Sequence, residues 1–176
     1  MPFTLEDGTG VDNSNAYASV GAVDNYLNDR GRIEENGWDD KGDDEKEACI
    51  IAATDYIEQQ YSRKFVGRKS SNTQGLSWPR YDAYDEDGFV IIGIPKALIN
   101  ATAEYAVRAA ASKLAPDPST ASRSVKSEKK KVGSLEKEVH YITSGADKSV
   151  IDSPYPAADK LISSLLKTTN YRMQRS

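Results

Sequence analysis

Gln74-Gly75-Leu76-Ser77-Trp78-Pro79-Arg80 runs on through Asp87-Gly88 to Ile94-Pro95, and this stretch separates the helical parts of the chain. A Trp-Pro pair sits poorly in a helix interior or a central strand, because proline removes a backbone donor and holds the preceding residue extended. Gly67, Gly75, Pro79, Gly88 and Gly93 all fall between residue 65 and about 93, too many breakers for a helix. The segment therefore predicts a long shaped loop, with Phe89-Val90-Ile91-Ile92 as a short strand after the Asp87-Gly88 turn. Pro95 takes the first position of a helix that extends through an alanine-rich run to about Leu114, ahead of Pro116 and Pro118. Ala101, Ala103, Ala106 and Ala109 to Ala111 keep it slim enough to pack on several sides, so it is predicted to be the central helix.

Upstream, the first fifteen residues are turn-rich and read as an irregular lead-in. Ser19 is the expected N-cap of a first helix, with Val20, Val23, Tyr26 and Leu27 on one stripe and Gly31 ending it. Eight of the fourteen residues from Glu34 to Glu47 are acidic, so this reads as a solvated loop anchored by Trp38. Asp43 or Asp44 is expected to cap a second helix running to about Tyr61. Its stripe Ile50, Ala53, Thr54, Ile57 and Tyr61 has the spacing of one buried helical face. Arg63, Lys64, Arg68 and Lys69 form a basic exit that suits the helix C-terminal dipole.

Downstream, Ser119 to Ser124 is polar linker, and Val125 to Val132 and Leu135 to Ile142 alternate around Gly133-Ser134. Two such strands predict a hairpin arm rather than a core sheet, since two strands alone bury little. Pro154 and Pro156 introduce a last helix with Ala158, Leu161, Ile162, Leu165 and Leu166 as its stripe, before a basic tail. The expected fold is mainly α: a small bundle of about four helices with long loops and a β-hairpin arm before the C-terminal helix. Residues 1–118 would be the helical core, with the acidic and Trp-Pro-Arg loops, and residues 119–176 the linker, β-hairpin arm, last helix and tail, either in the same structural domain or as an arm.

The 176 residues are enough for one domain with its own core. The longest apolar run is far too short to span a bilayer, so no membrane association is expected. No basic start precedes an apolar stretch, which argues against a secretory signal. Cys49, the one cysteine, lies on an apolar helical face and reads as a small buried hydrophobe suited to a reducing compartment. The net charge of -4 conceals an asymmetry: residues 1–62 carry 15 acids and 4 bases, a net of -11, while the remainder carries a net of +7. Such polarity suits either head-to-tail contact between copies or the ordinary solvation of two surfaces.

Chemistry that would indicate an enzyme is missing from the sequence. One histidine and one cysteine exclude a His-rich or Cys-based metal site. No Gly-x-Ser-x-Gly elbow, no Gly-x-x-x-x-Gly-Lys cradle and no Gly-x-Gly-x-x-Gly turn occurs. Asp82, Asp85, Glu86, Asp87 and Gly88 lack the alternation of a calcium loop. His140, on a predicted strand beside Tyr141, reads as a surface or interface imidazole. The expectation is a non-enzyme without cofactor or metal. Single-stranded DNA binding is the rival, because ten tyrosines and the clusters at Arg63 to Lys69 and Lys126 to Lys131 could supply stacking and phosphate contacts. Tyr26, Tyr56, Tyr61 and Tyr105 fall within predicted helices, however, and a pI near 5.1 disfavours a tight phosphate binder.

Three blocks resemble the head-to-tail connector (adaptor or neck) proteins of tailed phages, a family often labelled DnaT-like. They are Glu6-Asp7-Gly8-Thr9-Gly10 with Asn13-Ser14-Asn15-Ala16-Tyr17-Ala18-Ser19, then Ala53-Thr54-Asp55-Tyr56-Ile57, then the Trp-Pro-Arg loop with Ile94-Pro95. The resemblance runs in patches over most of the chain. It implies a mainly helical subunit of a ring, commonly of twelve copies, in the virion neck, made in the host cytoplasm. The ring would join the portal protein to a head-completion, stopper or tail-terminator protein, and genomic DNA would pass through it without specific binding. On this chain Trp78, Pro79, Arg80 and Pro95 would shape the loop and start the central helix, although a purely local role for Trp78 and Arg80 stands beside direct partner contact. Lys126, Lys129, Lys130, Lys131, Tyr141, Tyr171, Arg172 and Arg175 would contact the portal or a neighbour. Asp39, Asp40, Asp43 and Asp44 would face the channel and repel DNA. The acidic insertion between the first two helices and the long lysine-rich linker depart from the family pattern.

Overall fold

A computed structural model describes residues 2–115, 127–132, 135–140 and 155–167. Four α-helices, α1 (Val20–Asn28), α2 (Asp43–Tyr61), α3 (Lys96–Ala109) and α4 (Pro156–Ser163), make the chain mainly helical. Two-residue strands β1 (Arg68–Lys69) and β2 (Arg80–Tyr81) pair antiparallel, as do β3 (Ser127–Val132) and β4 (Leu135–His140). The chain divides into two compact units, Met1–Leu114 with Tyr155–Ser176, and Ala115–Pro154. The first unit thus runs to 114 and takes in the last helix. Burial of Ala158, Ile162 and Leu165 is what holds α4 there.

In the first unit α3 is central, packing against α1, α2 and α4. Its fully buried Ala101, Ala103 and Ala106 let three neighbours approach, while Leu98, Tyr105 and Val107 fill the spaces between them. The Ser19 hydroxyl accepts the Ala22 amide at 3.2 Å to cap α1, and Val23, Tyr26 and Leu27 are buried below it. α2 buries Ile50, Ala53, Thr54 and Ile57 as its spacing predicts, while Tyr61, the last of the stripe, is half-buried. Its cap is Gly42, one residue before the expected aspartates, where Glu45 reaches back to the Gly42 amide at 3.2 Å. Asp43 and Asp44 instead occupy the first turn, where carboxylates suit the helix dipole.

Three further expectations shift. Pro95 is the N-cap of α3, not its first residue. The helix stops at Ala109 rather than Leu114, because the chain turns to bury Leu114, whose carbonyl accepts the Tyr155 hydroxyl at 2.9 Å. The strand expected over Phe89 to Ile92 reduces to one bridge, Tyr84 to Val90, because Gly88 and Gly93 take positive φ on either side and leave too few extended residues to pair.

In the second unit β3 and β4 form a hairpin with Ser127 opposite His140 and Val132 opposite Leu135. The predicted Gly133-Ser134 turn, the linker from 119 to 124, and the strand ends at Val125 and at 141–142 lie outside the described residues.

Candidate interaction surface

The turn-rich lead-in is ordered around one buried carboxylate. Glu6 accepts the amides of Gly8, Gly10 and Val11 at 2.9 to 3.0 Å and the Ser14 hydroxyl at 2.9 Å. Positive φ at Gly8 and Gly10 allows those amides to converge. The Trp-Pro loop closes over this knot: the Gly75 amide donates to the Val11 carbonyl at 3.1 Å, and a Cβ at Gly75 would lie 2.7 Å from the Ser14 oxygen.

Tyr17 joins the knot to α2. Its amide donates to the Thr54 hydroxyl at 3.3 Å and its own hydroxyl donates to Glu58. The same oxygen accepts the Ser77 and Trp78 amides at 3.0 and 3.2 Å, and the Ser77 hydroxyl donates to Glu58 at 2.6 Å. Burial first, and then the Glu58 charge, push the Tyr17 phenol well above its ordinary pKa, so it remains a donor. The three blocks that carried the family resemblance therefore meet in one place.

Trp78 and Pro79 are buried inside this junction, with a cis peptide bond between them and Trp78 edge-on to Phe65 at 5.9 Å. The Arg80 guanidinium donates to the carbonyls of Val66, Gly67 and Ser77 at 2.6 to 3.0 Å. These side chains are spent on holding the loop.

Glu104 is a second buried carboxylate, on α3. It accepts from Arg32 at 2.6 Å, Arg108 at 2.5 Å and the Tyr26 hydroxyl at 2.8 Å. Burial alone would raise its pKa, but hydrogen bonds from the two guanidinium groups and Tyr26 outweigh that and hold it at about 2. Tyr56, Tyr105 and Tyr155 meet ring to ring at 5.0 to 5.7 Å, and Asp159 accepts the hydroxyls of Tyr61 and Tyr105. Four of the tyrosines that could have stacked on bases are thereby committed to packing: Tyr26, Tyr56, Tyr61 and Tyr105. Cys49 is half-buried on α2, and burial pushes its thiol up.

Glu58 and Glu104 were missed by sequence reasoning, and Glu6 and Tyr17 were picked out only as members of the first block of the resemblance, without a role. A carboxylate two residues before a pair of glycines, and a lone acid in the alanine-rich run of α3, were the available signals.

The surface features lie elsewhere. Asp39, Asp40, Asp43 and Asp44 are all exposed, leading into and opening α2. Trp38 beneath them is fully buried, with its indole N–H donating to Asp24 at 2.6 Å. Lys129, Lys130 and Lys131 lie on β3, whose register sets Lys129 against Glu138 and Lys131 against Glu136. Lys126, Tyr141, Tyr171, Arg172 and Arg175 lie outside the described residues. Arg63 and Lys64 are exposed, while Arg68 is ion-paired with Asp82 at 2.9 Å.

Residues 81 to 92 form a flap held by the Tyr84–Val90 bridge and by Asp85, whose carboxylate accepts the Asp87 and Phe89 amides at 3.1 and 2.8 Å. Only Ala83 is buried there, with Ile91 half-buried. Tyr81 is 59% exposed, Tyr84 51%, Phe89 71%, Val90 58% and Ile92 86%. Among the described residues Leu5, at 39%, is the one other exposed large hydrophobic side chain.

The family model described as "Putative DnaT-like ssDNA binding protein" matches residues 1–176, and the chain belongs to that family. No curated protein and no solved structure matches it.

Proposed function

We propose that this member of the DnaT-like family is a structural head-to-tail connector adaptor of a tailed phage. Copies of the chain form a ring, about twelve by the resemblance, that joins the portal to the next neck or tail component around the DNA channel. Its place is the virion neck, and its work is assembly rather than catalysis. The observation that carries this reading is the flap. A contiguous exposed apolar surface on an otherwise well-packed subunit is characteristic of a protein partner. Its acids, Asp82, Asp85, Glu86 and Asp87, suit a protein contact better than a phosphate backbone.

Single-stranded DNA binding is the second reading, and the family description favours it. Tyr81, Tyr84 and Phe89 are exposed rings, and Tyr81 pairs across the strands with Arg68, the parts of a stacking platform. Negative-stain microscopy of the protein mixed with a portal, beside anisotropy titrations with a single-stranded oligonucleotide at graded salt, separates the two. A ring stacked on the portal with negligible DNA affinity is expected. Binding to DNA whose logarithm falls steeply with that of salt concentration, at about 0.7 per phosphate neutralised, with no ring, would replace the adaptor reading.

A further inference from the structure

We infer that the flap from Tyr81 to Ile92 is the docking surface for a second copy of this chain, seated on that copy's Arg63, Lys64 and Lys167. The inference deepens the assembly reading and rests on it.

The apolar part of the flap is continuous. Tyr84 and Val90 are bridge partners and so share a face, and Ile92 lies two residues on from Val90. Tyr81, Val90 and Ile92 line one surface cavity of about 330 Å³ together with Thr9 and Pro79. With roughly 200 Å² for each aromatic side chain and somewhat less for each aliphatic one, the exposures of Tyr81, Tyr84, Val90 and Ile92 amount to roughly 450 Å² of open surface. That is within the range of the largest patch on an ordinary monomer, and about half of the ~800 Å² per partner of a specific interface.

Charge selects the occupant. The Asp85 carboxylate is engaged within the flap and Asp82 is paired with Arg68, but the Glu86 and Asp87 carboxylates have no partner among the described residues. The complement is on the same chain. The Lys167 amide donates to the Lys64 carbonyl at 2.8 Å, which brings these two lysines together next to Arg63. All three are exposed, and none has an ion pair among the described residues. Two free carboxylates at the tip of an apolar strip, and a cationic cluster without ion pairs in which Lys64 lies over the Tyr61 ring at 5.3 Å, make two copies complementary.

The test is the association state of the full-length chain by sedimentation over a concentration series at low salt. Wild type is expected to self-associate and to dissociate as salt rises. Ile92→Asp, at an exposed position, is expected to weaken association by about tenfold or more, with the circular dichroism spectrum unchanged. Lys64→Glu/Lys167→Glu and Glu86→Lys/Asp87→Lys are each expected to associate weakly alone and to co-assemble when mixed. A monomeric wild type at every concentration, wild-type association by Ile92→Asp, or no recovery on mixing would overturn the inference. Rings on the portal formed equally well by Ile92→Asp would overturn this surface and leave the connector reading standing. Portal binding lost in Ile92→Asp, from a chain that never self-associates, would assign the flap to the portal instead.

Discussion

Replacing Glu104 by glutamine probes how the central helix is fixed. The carboxylate gathers Arg32 from the segment after α1, Arg108 from α3 itself and Tyr26 from α1, so one charge ties two helices and a loop. Its pKa falls from the ordinary 4.5 to about 2 in the folded chain. At about 1.36 kcal/mol per pH unit, that is up to about 3 kcal/mol of stability at pH 7. Arg32 and Arg108 keep 32% and 23% of their side-chain surface in water, so the figure is an upper limit. Because the folded pKa is depressed, this stability is fully present above 4.5 and is lost as pH falls towards 2. At pH 3 the same relation leaves about 1 kcal/mol. Glu104→Gln keeps the shape and loses the charge, so its deficit against wild type should shrink by about 2 kcal/mol between pH 7 and pH 3. Urea unfolding followed by the fluorescence of the buried Trp38 and Trp78 measures both. A deficit that is the same at both pH values, or absent at pH 7, would refute the reasoning.

Gly75→Ala places a methyl group 2.7 Å from the Ser14 oxygen and 2.9 Å from the Asp12 oxygen, and should cost about 1–3 kcal/mol in thermal unfolding without any change of charge. Glu6→Gln removes a charged acceptor from four donors and should cost about 1–3 kcal/mol, seen first as faster hydrogen exchange at the Gly8, Gly10 and Val11 amides. Deleting residues 168–176 should weaken portal attachment in a pull-down while the melting temperature stays put; undiminished attachment would exclude the tail. Reversing Asp39, Asp40, Asp43 and Asp44 to lysine should slow genome ejection, and normal ejection would count against a channel-facing loop.

Legibility in the sequence followed the length of each signal. α2 declared itself because Ile50, Ala53, Thr54 and Ile57 repeat at helical spacing over several turns, and burial of one face is what that repeat means. Ser19 was readable for a local reason, since a hydroxyl there has an amide to cap. The strands at Arg68–Lys69 and Arg80–Tyr81 were not, because two residues carry no period and their pairing depends on Arg80 reaching Val66 and Gly67. Phe89 to Ile92 misled in the opposite direction: β propensity is a preference for a pleated, half-buried surface, and the flap offers a single bridge. The knot was invisible because its parts are far apart, with Tyr17, Glu58 and Ser77 joined only by the fold.

That knot bears on what the family relationship means. The blocks around Gly8, Tyr17, Thr54 and Trp78 look like sites because their residue types are unusual, yet each is used internally: Glu6 on loop amides, Tyr17 on Glu58, Arg80 on three carbonyls. A chain that keeps these blocks keeps the scaffold, and the scaffold is neutral between an adaptor and a DNA binder. Function is carried by what the scaffold presents. Here it presents Tyr84, Val90 and Ile92 on one face of a flap edged by Glu86 and Asp87. For DNA to use those rings, its phosphates would have to approach uncompensated carboxylates. For a second protein surface carrying cations, the same carboxylates are an attraction, which is why the flap and not the Trp-Pro-Arg motif is the place to mutate first.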